Sequence, residues 1–271
     1  MNTTELKGKV VLITGSGSGI GRSMAKIFLD NQCRVIINGR DPKKLFKTHS
    51  ELKKISEDVH QICGDVSNID EAKRIVEGCI SEFGKIDIVI NNAGLSMSGK
   101  FDELDLETYK NVIEVNLLGP SYISKFALPH LRKQKGSILF ISSIAGIHGL
   151  PYFAPYSASK MGLKAIADSI KVEENNSGVH VGLIYVGFTR NDPQKTAFDK
   201  NGNLFELKPR KGVKKQTQES VSLSIIKSII NRSYISVLSP MGKVTLFLNR
   251  FAPDILSFIL SKLNNKIKAF S

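Results

Sequence analysis

The chain has 271 residues, 41% of them hydrophobic and 23% charged, with a formal net charge of +13. This length and composition fit one large α/β domain and exclude a disordered or fibrous chain. The chain lacks an uninterrupted apolar run long enough for a transmembrane helix, and its polar start, Met1 to Lys9, predicts a cytoplasmic protein without a signal peptide.

Seven short apolar runs, separated by helical patterns, predict seven strands. Because such alternation requires crossover connections, we expect a parallel sheet with helices on both faces. The runs are Val10–Ile13, Arg34–Ile37, Val59–Ile62, Ile86–Ile90, Ser137–Ile141, Val179–Tyr185 and Tyr234–Val237. Asp41-Pro42 and Ser67 mark the predicted starts of two of the helices. The sequence therefore predicts a single-domain, doubly wound α/β fold of the Rossmann type.

A glycine-rich turn follows the first predicted strand directly. It reads Thr14-Gly15-Ser16-Gly17-Ser18-Gly19-Ile20-Gly21-Arg22 and leads into an apolar helical pattern. Glycines allow a backbone to approach a pyrophosphate closely, and the N-terminus of the next helix offers free N–H groups and a positive dipole. A flexible turn is the alternative, but the strand before it and the helix after it favour a dinucleotide site.

The end of the second strand indicates which dinucleotide binds. It reads Asn38-Gly39-Arg40 and lacks the carboxylate that commonly bonds the adenosine ribose of NAD. Arg40 suits a 2′-phosphate through charge-assisted hydrogen bonds. We therefore expect NADP(H) rather than NAD(H); the alternative is a surface arginine before the helix at Asp41-Pro42.

Two further strand ends carry polar residues. After the third strand, Asp65 and Val66 stand where a carboxylate can accept a hydrogen bond from adenine, although Asp65 also fits an ordinary turn. After the fourth strand, Asn92, Ala93 and Gly94 suit a tight approach to the dinucleotide, although asparagine also stabilises turns by itself.

A tyrosine and a lysine suggest the chemistry. Tyr156 and Lys160 are four residues apart at the start of a helical pattern, so both side chains lie on one face. An ammonium stabilises a phenolate, and this lowers the tyrosine pKa from roughly 10 towards the working range of a general base. The fifth strand delivers Ser142 and Ser143 at its carboxyl end, where either hydroxyl can hold a substrate oxygen or simply cap the strand.

Other chemistries find little support. The five histidines and three cysteines lack metal-ligand spacing, so no metal site is predicted, and Cys33, Cys63 and Cys79 are expected to be reduced thiols. No Gly-x-Ser-x-Gly elbow is present. A basic cluster without interleaved aromatic residues predicts a solvated loop, not a nucleic-acid site. The cluster comprises Lys208, Arg210, Lys211, Lys214 and Lys215, and lies in and just beyond a region, 191–212, that we expect to be a mobile loop over the site.

Together these segments resemble the short-chain dehydrogenase/reductase family in its form of roughly 250 residues, from about Leu6 to Tyr234. The resemblance implies a sheet of order 3-2-1-4-5-6-7 and a catalytic tetrad of Asn116, Ser143, Tyr156 and Lys160. Asn116, inside the helical pattern from Leu106, would otherwise be read as a solvated or backbone-bonding amide. Ser143 is preferred over Ser142 because it precedes Tyr156 by the family's usual 13 residues.

The resemblance also implies how the cofactor is held. The residues expected to bind it are Gly15, Ser16, Ser18, Gly19, Ile20, Gly21, Arg40, Asp65, Val66, Asn92, Ala93, Gly94, Tyr156, Lys160, Val186 and Thr189. One stretch departs from the family pattern: Val186 replaces the proline that commonly follows the sixth strand, and Asn191 stands where a threonine is usual. Thr189 and the backbone of Val186 are expected to supply the nicotinamide contacts instead.

The expected division of the chain is a catalytic domain, 1–240, with a substrate region at 188–220, and an apolar, basic C-terminal extension, 241–271. The extension predicts packing on the domain or on a second subunit; the alternative is a lipophilic substrate entrance resting on an acidic membrane. The resemblance implies a ketone reductase acting on a small, lipophilic carbonyl or alcohol, assembled as a homodimer or homotetramer. A catalytically silent, dinucleotide-binding regulator is the alternative.

Overall fold

The computed structural model describes residues 4–190, 192, 195–207, 215–264 and 267. Asn191 and four of the five basic cluster residues, Lys208, Arg210, Lys211 and Lys214, lie outside the described residues. The strands are β1 Val10–Ile13, β2 Arg34–Gly39, β3 Val59–Cys63, β4 Ile88–Asn91, β5 Ser137–Ser143, β6 His180–Val186, β7 Thr196–Phe198, β8 Leu204–Glu206 and β9 Ile235–Val237.

Seven of these strands form one parallel sheet of order β3-β2-β1-β4-β5-β6-β9. This confirms the predicted sheet, with β9 as its seventh member, and the predicted strand limits are correct to within about two residues. The order reverses between β1 and β4, where Ile13 lies opposite Ile90. Open α/β sheets bind their ligands at such a reversal, beyond the carboxyl ends of the strands.

The helices are α1 Gly19–Asp30, α2 Pro42–Lys53, α3 Ile69–Phe83, α4 Leu106–Ile113, α5 Gly119–Gln134, α6 Ala154–Glu173, α7 Gln218–Ile230, α8 Pro240–Phe251 and α9 Pro253–Lys262. The start at Asp41-Pro42 is confirmed, since the Asp41 carboxylate accepts from the Lys44 backbone N–H at 3.0 Å. Ser67 was the wrong cap for α3. Asn68 caps that helix, while the Ser67 hydroxyl donates to Asp65 at 2.6 Å.

A π-helical turn, Glu114–Leu118, joins α4 to α5 without a break in the helical path. It contains the fully buried Asn116. Such turns insert one extra residue and occur often at functional sites, because they reorient a side chain within a continuous helix.

Part of the predicted mobile loop is a small antiparallel hairpin, formed by β7 and β8. It pairs with the segment after β4, because the Phe198 backbone N–H donates to Ser96 and its carbonyl accepts from Ser98, both at 2.9 Å. Phe198 also packs against a small cluster that includes the buried Met97 and Leu104. This part of the predicted loop region therefore contains regular structure, and its mobility stays a prediction.

Both faces of the sheet are buried. One face carries Leu12, Ile36 and Phe140 into a core shared with α3, α5 and α6, and the other carries Ile13 and Ile37 into a core shared with α1 and α7. Parallel strands covered by helices on both sides account for their continuous apolar sequence. Within the described residues, no helix is both long and apolar enough to cross a membrane.

Candidate active site

The glycine-rich turn lies at the reversal of strand order, pressed against the segment after β4. Gly15 has φ of +62°, and a Cβ placed there would lie 2.6 Å from the Ala93 Cα. A Cβ on Gly21 would lie 2.6 Å from the Gly15 carbonyl oxygen. Both positions therefore require glycine, for close approach of backbone to backbone.

Thr14, which the sequence analysis did not assign, holds the two segments together. Its hydroxyl oxygen accepts from the backbone N–H groups of Asn92 at 3.0 Å and Ala93 at 3.1 Å. The Asn92 amide donates to the carbonyls of Thr14 at 2.9 Å and Gly15 at 3.0 Å. The Asn92 side chain thus stabilises the turn, which was the alternative role considered for it. For Thr14, the only signal in the sequence was its position next to Gly15.

Ser16 is also used internally. Its buried hydroxyl donates to the Ile13 carbonyl at 2.7 Å and accepts from the Asn38 backbone N–H at 2.9 Å. Ser16 therefore fixes the turn against β2 through its hydroxyl, and its predicted role in binding the cofactor stays a prediction. Ser18, by contrast, precedes α1 in an extended conformation and makes no side-chain cap.

The first N–H of α1 has a partner from far along the chain. The Gly19 backbone N–H donates to the Asp192 carboxylate at 2.6 Å. Ile20 follows in the helix and packs partly against the core. A negative charge at a helix N-terminus is stabilised by the unpaired N–H groups and the helix dipole.

Arg40 and Asp65 lie together at the ends of β2 and β3. The Arg40 guanidinium is 3.9 Å from the Asp65 carboxylate, and the arginine side chain is half-exposed. Asp65 also accepts from the Ser67 backbone N–H at 2.9 Å, while Val66 is buried beside Gly119. A Cβ on Gly39 would meet only a Leu45 methyl, at 3.7 Å, so there is room beside this strand end.

Lys160 is the most perturbed charged group at this edge of the sheet. It is 5% exposed and donates to the Ile141 carbonyl at 2.9 Å. Burial, with a smaller effect from the charge of Lys195, lowers its pKa to about 8. Its Nζ is 6.0 Å from the centre of the Tyr156 ring. The predicted pair on one face of α6 is thus brought together.

Asn116 reaches the same place from the π-helical turn. Its amide accepts from the Leu95 N–H at 2.7 Å and donates to the Leu95 carbonyl at 2.9 Å and to the Ser159 hydroxyl at 3.1 Å. A Cβ on Gly94 would lie 3.2 Å from the Asn116 Oδ1 and 3.3 Å from the Lys160 Nζ. Gly94 therefore lies against both side chains.

The two serines at the end of β5 have different surroundings. Ser142 is buried, and its hydroxyl donates to the Lys160 carbonyl at 2.9 Å. Ser143 is partly exposed, and its hydroxyl oxygen accepts from the Ala145 N–H at 3.2 Å. Ser143 is thus the more exposed of the two serines.

Val186 lies directly opposite Ser143 in the sheet register. Beyond it, the Thr189 hydroxyl donates to the Gly187 carbonyl at 3.3 Å, and the Arg190 backbone N–H donates to Gln216 at 2.9 Å. The predicted nicotinamide-binding segment therefore begins at the same edge as the predicted tetrad.

The chain is similar in sequence to known proteins. The family model described as short chain dehydrogenase matches residues 9–202. An uncharacterized oxidoreductase of Thermotoga maritima is 35% identical over 69% of this chain and 74% of its own length. An Arabidopsis thaliana protein named 11-beta-hydroxysteroid dehydrogenase-like 2 is 33% identical over 93% of this chain and 80% of its own.

A solved structure has the same fold. It is a short chain dehydrogenase/reductase from Burkholderia phymatum in complex with NAD, with a TM-score of 0.80 and 21% identity, covering 93% of this chain and 96% of that one.

Proposed function

The chain belongs to the short-chain dehydrogenase family, and from that membership we propose that it is an NADP(H)-dependent oxidoreductase acting on a ketone or secondary alcohol. The observation that carries the proposal is the buried Lys160 ammonium beside Tyr156, at the edge where Ser143 and the glycine-rich turn also lie. Buried, perturbed groups of this kind are typical of catalytic sites.

The residues at the sheet edge fit a dinucleotide. The close contacts at Gly15 and Gly21 leave backbone exposed at the start of α1, where Ser18, Gly19 and Ile20 would hold a pyrophosphate. Asp65 and Val66 would contact the adenine. When bound, the nicotinamide supplies or accepts the hydride.

Arg40 supports the phosphorylated form of the cofactor. Its guanidinium is half-exposed and 3.9 Å from the Asp65 carboxylate, which a 2′-phosphate would have to replace as its partner, and Gly39 beside it carries no charge of its own. Arginine binds phosphate through two parallel hydrogen bonds. Asn92, Ala93 and Gly94 would line the middle of the cofactor, and Val186 and Thr189 its carboxamide.

Tyr156 is the proposed acid and base. Its phenol would donate a proton to the carbonyl oxygen in reduction and become a phenolate, and in oxidation the phenolate would accept the hydroxyl proton. A pKa of about 8 leaves Lys160 mostly protonated at pH 7, so its charge favours the phenolate. The Ser143 hydroxyl would orient the substrate oxygen, and Asn116 would hold a water that carries protons to Lys160.

The C-terminal helices favour a lipophilic substrate at a membrane surface. α8 and α9 expose large apolar side chains, among them Phe247, Phe251 and Phe258. Arg250 lies over the Phe251 ring and Lys262 over the Phe258 ring, so cations flank this face. Aromatic and basic residues on one helix face suit an anionic lipid surface. A relative named after a hydroxysteroid is consistent with such a substrate.

A second copy of the chain has a separate place to pack. A groove of about 570 Å³ runs between α5 and α6, and it is lined by small and apolar side chains such as Ser124, Leu128 and Ala165 together with the charged Lys125 and Arg132. Small residues allow helices of a second subunit to approach closely, which supports a homodimer or homotetramer.

The test is a titration with NADPH and NADH, followed by turnover of short and long-chain ketones. We expect NADPH to bind more tightly than NADH. Arg40→Ala should raise the Kd for NADPH more than it raises the Kd for NADH. Turnover should fall by at least about 10²-fold in Tyr156→Phe, with the dinucleotide Kd little changed. Binding without turnover of any ketone or alcohol would favour the regulator instead, and a preference for NADH would contradict the role given to Arg40.

A further inference from the structure

The N-terminus of α1 is occupied by a carboxylate of the chain itself. The Asp192 carboxylate accepts from the Gly19 backbone N–H at 2.6 Å and from the Gln218 amide at 2.8 Å, and the Arg22 guanidinium lies 3.4 Å away. Asp192 is 173 residues from Gly19 in the sequence, so this contact is tertiary and not an ordinary helix cap.

This carboxylate is charged under ordinary conditions. Burial raises the pKa of Asp192, but hydrogen bonds from Gln218 and Gly19 and the charges of Arg22 and Lys44 outweigh burial and lower the pKa below its usual value. The group therefore presents to α1 what a phosphate would present: negative oxygens that accept from a helix N–H and face an arginine.

The local cap cannot take this position. Ser18 precedes the helix, and the hydroxyl of such a residue bonds the N–H of the second or third helical residue, not that of the first, which is Gly19. The Gly19 N–H therefore bonds an anion from elsewhere in the chain, and here that anion is Asp192. If Gly19 holds the pyrophosphate, as the proposed function requires, two anions share one donor and only one can bind at a time.

Asp192 also connects the cofactor side to the substrate side. It follows Thr189 and Arg190, which are tied to Gln216. Its carbonyl accepts from the Lys195 N–H at 3.3 Å, and the charge of Lys195 is near enough to Lys160 to lower its pKa. A movement of Asp192 would therefore affect both Gly19, on the cofactor side, and Lys195, on the side of Lys160.

We propose that Asp192 is an internal competitor for the dinucleotide. Its carboxylate holds the N-terminus of α1 until the pyrophosphate displaces it, so cofactor binding releases Asp192 from Gly19. This inference rests on the proposed cofactor site. Apparent affinity is reduced by the fraction of molecules in which the site is free, so removal of the competitor strengthens binding without any new contact to the ligand.

The experiment is a fluorescence titration with NADPH and with NADH on three proteins: wild type, Asp192→Asn and Glu51→Gln. Asp192→Asn keeps the shape and removes the charge, and we expect a Kd roughly tenfold lower, corresponding to a site free in about one molecule in ten. The gain should be equal for NADPH and NADH, because both carry the pyrophosphate.

Glu51→Gln is the matched control. Glu51 also lies beside Arg22, at 3.5 Å, and its replacement removes the same charge without touching Gly19. Its Kd should change by less than about twofold, since exposed pairs contribute little. An equal gain in both variants would mean that net charge alone is responsible, and would overturn the competitor.

A second variant keeps the test independent of the Asp192 substitution. Gln218→Leu removes the amide that supports the carboxylate, and we expect NADPH to bind roughly threefold more tightly, because one of the two close donors to Asp192 is lost. Unchanged or weaker binding in Asp192→Asn would show that Asp192 does not compete with the dinucleotide, and would leave the proposed cofactor site unaffected. Absence of binding of either dinucleotide to wild type and Asp192→Asn overturns the cofactor site, and the competitor with it.

Discussion

Replacing the buried Lys160 by methionine should stabilise the protein while removing its proposed activity. Burial, followed by the charge of Lys195, holds the pKa of Lys160 at about 8, against an ordinary value of 10.5. That difference corresponds to a cost of roughly 3 kcal/mol for carrying the charge in the folded state. Loss of the hydrogen bond to the Ile141 carbonyl offsets about 1 kcal/mol of the gain. Lys160→Met should therefore unfold with a free energy about 2 kcal/mol higher at pH 7.

The expected gain in the stability of Lys160→Met depends on pH. Below pH 8, Lys160 is protonated in both folded and unfolded states, so wild type carries the whole cost of the buried charge. As the pH rises from about 8 towards 10.5, the folded state loses its proton first and the cost disappears. The advantage of Lys160→Met over wild type should accordingly be largest at pH 7 and smallest near pH 10.

Urea unfolding of both proteins at pH 7 and pH 10 measures this difference directly. The control is Lys164→Met, one turn along α6, where the lysine is exposed and pairs with Asp168. That variant should change stability by less than about 0.5 kcal/mol at either pH. Equal stability of wild type and Lys160→Met at pH 7, or a difference that does not change with pH, would refute the argument from burial.

Three further predictions follow from other contacts. Ser143→Ala should lower kcat by roughly 10²-fold, whereas Ser142→Ala should retain turnover and lose about 1 kcal/mol of stability, as steady-state kinetics and urea unfolding would show. Thr14→Val leaves two backbone donors unpaired, and we expect about 2 kcal/mol less stability and weaker NADPH binding; unchanged unfolding would contradict this. Burial raises the pKa of Asp87, but hydrogen bonds from Lys85 and Val10 lower it overall. Its stabilisation is present above the ordinary carboxyl pKa and lost as the pH falls through the lowered one, so Asp87→Asn should lose stability at pH 7 and approach wild type in acid during thermal unfolding.

The sheet could be predicted because its strands are buried on both faces and therefore read as continuous apolar runs. The hairpin of β7 and β8 could not, since its strands have three residues each, half of them exposed, and its contact with the rest of the domain is to the backbone of Ser96 and Ser98, far away in the sequence. The cap of α3 was misplaced for a local reason. Ser67 and Asn68 are both good caps, and the choice depends on Asp65 taking the serine hydroxyl.

The predicted site shows the same division between local and distant contacts. Tyr156 and Lys160 could be paired from their spacing on one helix, and Gly15 from the need for close approach. The contact of Asp192 with Gly19 had no signal, because no pattern of spacing reports a carboxylate that arrives from a different part of the fold. Asn116 was found by resemblance, while its orientation depends on a π-helical turn that the apolar periodicity does not reveal.

The position of Lys160 is set by β5, which also presents Ser143. Successive side chains of a strand point to opposite faces, so Ser142 turns towards α6 and bonds the Lys160 carbonyl while Ser143 faces the open edge. The Ile141 carbonyl of the same strand accepts from the Lys160 amine, and a Cβ on Gly146, in the turn after β5, would lie 2.7 Å from the Lys160 carbonyl oxygen, so α6 also lies close against that turn. The proposed reaction centre is therefore fixed by the packing of one helix on one strand. Release of Asp192 should change access to the cofactor site without changing the distance between Ser143 and Lys160.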